Sequence, residues 1–179
     1  MKKTAVLLYP RFSEYELTVA LSILRQGDKD MAVVGLTPDP VVGEAGLSCN
    51  VHTTIHALDI ETVDSLVLPG CDDIGYLKDA EPLFAFIQAI AGKGAILAAI
   101  SSAPFLLARA GVLASHRYTV GFTQEQRDYI GVFDENHYVD APLVADGRVL
   151  TAKGGYFVHF GIQLGRMLGL DFDVDWYER

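Results

Sequence analysis

Apolar residues in this chain come in two alternating forms: short unbroken runs, and longer stretches in which they recur every third or fourth position. Residues 4–9 (TAVLLY) form a run of the first kind, closed by Pro10, which predicts a strand covered on both faces. Ser13 follows as a prospective N-cap with Glu16 three positions on. That is the spacing of a capping box, and Leu17, Leu21 and Leu24 then recur at helical intervals until Gly27. Residues 31–37 (MAVVGLT) predict a second buried strand. Between residues 41 and 60 the pattern breaks into short β-like pieces punctuated by Gly43 and Gly46.

The rhythm then resumes. Residues 65–68 (SLVL) predict a strand ending at Pro69-Gly70, and Pro82 opens a helix with Leu83, Phe86, Ile87 and Ile90 on one face. Residues 94–100 (GAILAAI) predict a third buried strand that runs straight into Ser101 and a helix closed near Gly111. A short strand is expected over residues 118–120. A hairpin turning at Asp146-Gly147 is expected over residues 143–151, and a last amphipathic helix over residues 155–168. The fold class is therefore α/β: a doubly wound, mostly parallel sheet with helices on both faces, in a single domain over residues 1–179.

Charge and composition narrow the partners. A formal net charge of −9 repels nucleic acid and anionic membrane alike, so neither is an expected partner. No apolar stretch approaches the ~20 residues of a membrane span, and Met1-Lys2-Lys3 leads directly into a strand, so a cytoplasmic protein is expected. Cys49 and Cys71 lack metal-ligand spacing and read as free thiols. His52, His56, His116, His137 and His159 form no compact ligand motif, so no metal and no cofactor are expected.

In an open α/β sheet the reactive crevice lies beyond the carboxyl ends of the strands. Ser101 sits at such an end, on a strand-to-helix elbow with the small neighbours Ala99 and Ala103, the setting of a nucleophile elbow. Gly70, Cys71 and Glu16 follow two other strand ends. Ser102, beside the elbow, and Cys71 offer backbone N–H groups to an oxyanion. Two readings of Ser101 stand: a nucleophile, or an elbow kept for structure or binding. A hydroxyl needs a positioned base to act as a nucleophile. Glu16 is a poor one for an alcohol, and His116 and His137 are the other candidates. Glu16 has its own alternative as a helix cap, and Cys71 is either a reactive thiol or an inert one.

Several segments resemble the ThiJ/PfpI family of the class I glutamine amidotransferase-like superfamily: LVLPG at 66–70, AAISSAPFLLARAGVL at 98–113, VADGRVLTAKG at 144–154, and the early Glu16. The resemblance implies a flavodoxin-like fold, a homodimer and a small-molecule ligand or substrate. It also implies a cysteine at the elbow, where this chain has Ser101, and a histidine near Gly121, within TVGF. Cys71 falls where the family's loop resembles Pro-Gly-Gly. The expected site therefore comprises Ser101, Glu16 and Cys71 as candidate chemical groups, with Gly70, Ser102, Gly121 and Gly154 lining a pocket. The expected function is a small-metabolite-binding or stress-related member without cysteine-dependent catalysis. The alternative is a hydrolase or a deglycase- or glyoxalase-like enzyme using Ser101, with glutamine amidotransferase activity excluded by the missing thiol.

Overall fold

The computed structural model describes residues 2–178. The first buried run forms β1 (Lys3–Leu8), followed by α1 (Glu14–Gln26) and β2 (Met31–Gly35). The irregular segment holds three two-residue strands, β3 (Val41–Val42), β4 (Ser48–Cys49) and β5 (Thr53–Thr54). Then come β6 (Val63–Leu68), α2 (Glu81–Gly92), β7 (Ile96–Ile100) and α3 (Pro104–Arg109). The chain continues through α4 (Gln124–Ile130), β8 (Leu143–Asp146), β9 (Val149–Ala152) and α5 (Phe157–Met167).

Seven strands make one sheet in the order β5-β2-β1-β6-β7-β9-β8, and every pairing in it is parallel except that of β8 with β9. β3 and β4 pair separately as a small antiparallel hairpin. All five residues of β7 are buried, as expected of a strand flanked by helices on both faces. Successive connections leave β1 in opposite directions, toward β2 and toward β6, which creates a switch point at the carboxyl end of β1. No helix among the described residues is long and apolar enough to cross a membrane.

Three local expectations are corrected. Residues 118–120 form no strand; Tyr118 makes an isolated bridge with Tyr138, and the Thr119 N–H donates to the side chain of Thr151 on β9 rather than to a strand carbonyl. The capping box expected at Ser13 is absent: the Ser13 side chain makes no cap bond and donates instead to Glu44 Oε1 at 2.8 Å. A complete capping box occurs where none was expected, between Thr123 and Gln126, and it starts α4. Pro82 opens α2, and the hairpin turns at Asp146-Gly147.

α1, which carries Glu16, packs along α5. A side chain on Gly161 would place its Cβ 2.8 Å from the Ala20 backbone nitrogen and 3.0 Å from the Val19 carbonyl carbon. That contact is with backbone, so it has no flexible end to yield. Gly161→Ala is expected to lower unfolding stability by about 1–3 kcal/mol, in spite of alanine's better helix propensity. Urea denaturation measures it, and an unchanged or raised midpoint contradicts the close crossing.

Candidate functional site

Four strand ends supply the site. After β6 the Pro69–Asp72 turn is held by the β1–α1 connection: the Tyr9 hydroxyl donates to the Pro69 carbonyl, and Ser13 N–H donates to the Gly70 carbonyl at 2.8 Å. The Gly70 N–H donates in return to Glu16 Oε2 at 2.6 Å. The helix start thus grips Gly70 at both of its flanking peptide groups, and this grip replaces the expected capping box. Glu16 is 2% exposed.

At the end of β7, Ser101 adopts φ 64°, one of three non-glycine residues in the left-handed region among the described residues. Such a conformation costs a side-chain-bearing residue about 1–2 kcal/mol. A neighbouring strand and a loop hold it there. Ser101 N–H donates to the Ala152 carbonyl at 2.8 Å, and the Ser101 carbonyl accepts from Gly121 N–H at 2.7 Å. The backbone approaches closely on two further sides. A Cβ on Gly70 would lie 2.7 Å from both Glu16 Oε2 and Ser101 Cβ, and one on Gly154 would lie 2.9 Å from Glu16 Oε1 and 3.0 Å from Ser101 Oγ. Glycine at 70 and 154 is what leaves room for the elbow and the carboxylate to meet.

Burial raises the pKa of Glu16. The Gly70 N–H, hydrogen-bonded to the carboxylate, opposes that rise most, and the nearby hydroxyls of Ser101 and Tyr15 oppose it further. Ser101 Oγ and the Glu16 carboxyl thus meet over Gly154. The histidines occupy other places: His52 Nδ1 accepts from Val33 N–H, His116 Nδ1 is 3.0 Å from the Val112 carbonyl, His137 lies beside Asp134, and His159 packs on Tyr156. Neither His116 nor His137 takes up the base position considered for Ser101.

Cys71 has surroundings opposite to those of a reactive thiol. Burial pushes its pKa up to about 12, and the carboxylates of Asp73, Glu16 and Glu44 add to the rise. The expectation of a reactive thiol at Cys71 is corrected on this ground. Its backbone N–H donates to Ser102 Oγ at 3.2 Å, so one of the two donors expected for an oxyanion is already engaged. Gly121 N–H, the position where the resemblance implies a histidine, is likewise spent on the Ser101 carbonyl.

Ser101, Gly121 and Gly154 open into a cleft of about 750 Å³. Its far wall was not legible in advance. Arg127 of α4, 6% exposed, donates through Nε and Nη2 to the two carboxylate oxygens of Glu135, and its guanidinium stacks 3.6 Å from the Tyr138 ring centroid. Lys153 pairs with Asp140 at the rim. The unread signal was Thr123-x-x-Gln126 followed by Gly131, a cap and stop for α4. Among the described residues no group of three His, Cys, Asp or Glu side chains is placed to hold a metal ion.

A model of the DJ-1/PfpI family matches residues 2–166. A Bacillus subtilis protein named an uncharacterized protease is 28% identical over 174 residues, spanning 97% of this chain and 86% of that one. A deglycase from Pyrococcus horikoshii is 24% identical over 156 residues, spanning 84% and 89%. The crystal structure of a DJ-1 superfamily protein from Agrobacterium tumefaciens matches with a TM-score of 0.84 at 26% identity, covering 99% of this chain and 95% of that one. A cysteine-to-alanine mutant of a DJ-1 superfamily protein from Salmonella typhimurium matches at 0.78 and 31%, covering 98% and 95%. With this sheet order, these strand-end residues and a family match over nearly its whole length, the chain belongs to the DJ-1/PfpI family.

Proposed function

We propose that this protein binds a small polar metabolite in the cleft above Ser101 and does not carry out cysteine-dependent chemistry. The observation that carries this reading is the partnership of the Ser101 hydroxyl with the buried Glu16 carboxyl. A carboxylate, even one whose pKa is raised by burial, is far too weak a base to ionise an alcohol, so the pair serves as a hydrogen-bonding anchor. The cleft is lined by opposed charges, Arg127 with Glu135 and Lys153 with Asp140. Such a lining suits a polar or zwitterionic molecule better than a strongly charged one. A homodimer, a cytoplasmic location and a role under stress belong to the same proposal and rest on the family resemblance.

A second reading draws on one specific observation, the φ of 64° at Ser101, which is the strain expected of an elbow that presents a nucleophile. Relatives named as a deglycase and as an uncharacterized protease suit that reading. It assigns Ser101 to a hydrolase or carbonyl-adduct enzyme. A fluorophosphonate probe separates the two. On native protein the binding reading expects no adduct at Ser101 by peptide mass spectrometry; an adduct that disappears in Ser101→Ala overturns it in favour of the hydrolase.

The carboxyl also makes a thermodynamic statement. A glutamate whose folded pKa lies above its unfolded value binds its proton more tightly in the native state. Its contribution is therefore most favourable below the ordinary glutamate range, and is lost as pH rises through the raised folded value. Glu16→Gln keeps an acceptor for Gly70 N–H and removes the titration. Its melting temperature relative to the parent should climb as pH rises through that window and level off above it. A difference that is independent of pH contradicts the burial of an ionisable Glu16.

A further inference from the structure

Tyr15 is adjacent to Glu16 in sequence, and its side chain turns toward Gly154. A Cβ on Gly154 would lie 3.1 Å from the Tyr15 hydroxyl, close to its distances from Glu16 Oε1 and Ser101 Oγ. Three oxygens from two elements therefore converge on the bare face of one glycine. The Tyr15 ring is fixed by an edge-to-face contact with Phe157, with centroids 5.4 Å apart and planes at 88°. Burial and the neighbouring Glu16 carboxylate raise the pKa of its hydroxyl, which keeps its proton. Ser13 Oγ donates to Glu44 Oε1 at 2.8 Å, and Glu44, exposed on the β3–β4 hairpin, is held by its own N–H to the Phe12 carbonyl at 2.9 Å.

We propose that Tyr15 is a positioning residue for Glu16: its hydroxyl donates to the buried carboxylate over Gly154, while the exposed Glu44, held by the Ser13 hydroxyl, acts on that carboxylate through its charge. The inference deepens the proposed function, since it rests on Glu16 being the partner of Ser101. The physical need is plain. A carboxylate buried to this extent is retained only when donors surround it. Gly70 N–H and the Ser101 hydroxyl supply two, and Tyr15 supplies the third from the solvent side. The charge of Glu44 acts in the opposite sense, making ionisation of Glu16 harder. The other titratable groups facing Glu16 are Tyr9 at the end of β1 and Cys71 in the turn after β6, whose own pKa values are both raised. Both are neutral across the range in which a glutamate titrates, so Tyr15 and Glu44 act on its midpoint beside burial, the Gly70 N–H and the Ser101 hydroxyl.

The test is a carbon-13 NMR titration of the full chain labelled at glutamate Cδ, with the Glu16 resonance assigned by its loss in Glu16→Gln. Tyr15→Phe keeps the ring and its packing on Phe157 and removes one donor to the charged form, so the Glu16 midpoint should move up. Glu44→Gln removes a repelling charge, and the midpoint should move down. The two shifts of opposite sign cannot come from a general loosening of the fold. A Glu16 midpoint unmoved by Tyr15→Phe overturns the role of Tyr15, and one unmoved by Glu44→Gln overturns the coupling to the surface. Ser101→Ala, in the same titration, tests the underlying reading separately. It should raise the midpoint, and if it does not, the Ser101–Glu16 pairing falls while the result for Tyr15 stands by itself.

Discussion

Gly70 is gripped at both of its flanking peptide groups by the start of α1, its carbonyl by the Ser13 N–H and its N–H by the Glu16 carboxyl. Much of the site follows from this exchange. It removes one unsatisfied donor at the helix start and one carbonyl at a strand end in a single stroke. It pins the turn after β6 against the connection after β1. It also carries a carboxylate into the interior, at the switch point where β1 and β6 diverge. Burial of that charge is tolerable only because backbone and hydroxyl donors meet it there.

Strain and order at Ser101 are the second consequence. The left-handed backbone is held by the Ala152 carbonyl of β9 on one side and the Gly121 N–H of the loop before α4 on the other, without help from a ligand. With Gly70 and Gly154 lacking side chains, Ser101 Oγ and the Glu16 carboxyl are brought together. On the proposed reading this preorganisation survives while the atom that would use it differs: an oxygen without a base stands where a sulfur could ionise alone.

The alternation of buried runs and helical stretches made the parallel sheet and the elbow legible, because each depends on patterns local to a few residues. Ser101 stood out through the unbroken passage from GAILAAI into a helix, and Gly154 through its place after the hairpin. What escaped was non-local. Ser13 and Glu16 have capping-box spacing, and nothing nearby in sequence says that a peptide 54 residues away competes for the same groups and wins. The Cys71 thiol looked accessible at a strand end, yet its burial and the surrounding carboxylates depend on the packed tertiary structure. Nothing local singles out Arg127, since its burial requires Glu135 and Tyr138 from the following loop. The α4 cap, by contrast, was written locally at Thr123 and Gln126 and could have been read.

At the centre of this account is an elbow that is structurally complete and presents its side chain to an open cleft, while the chain's own nearby thiol is half-buried and has its pKa raised. The direct measurement is alkylation of Ser101→Cys by iodoacetamide at neutral pH, with each modified cysteine identified by peptide mass spectrometry. The account predicts that the thiol introduced at position 101 reacts well before Cys71, whose proton is held by a pKa near 12. A thiol at position 101 as slow as Cys71, in a variant that remains folded, would contradict it.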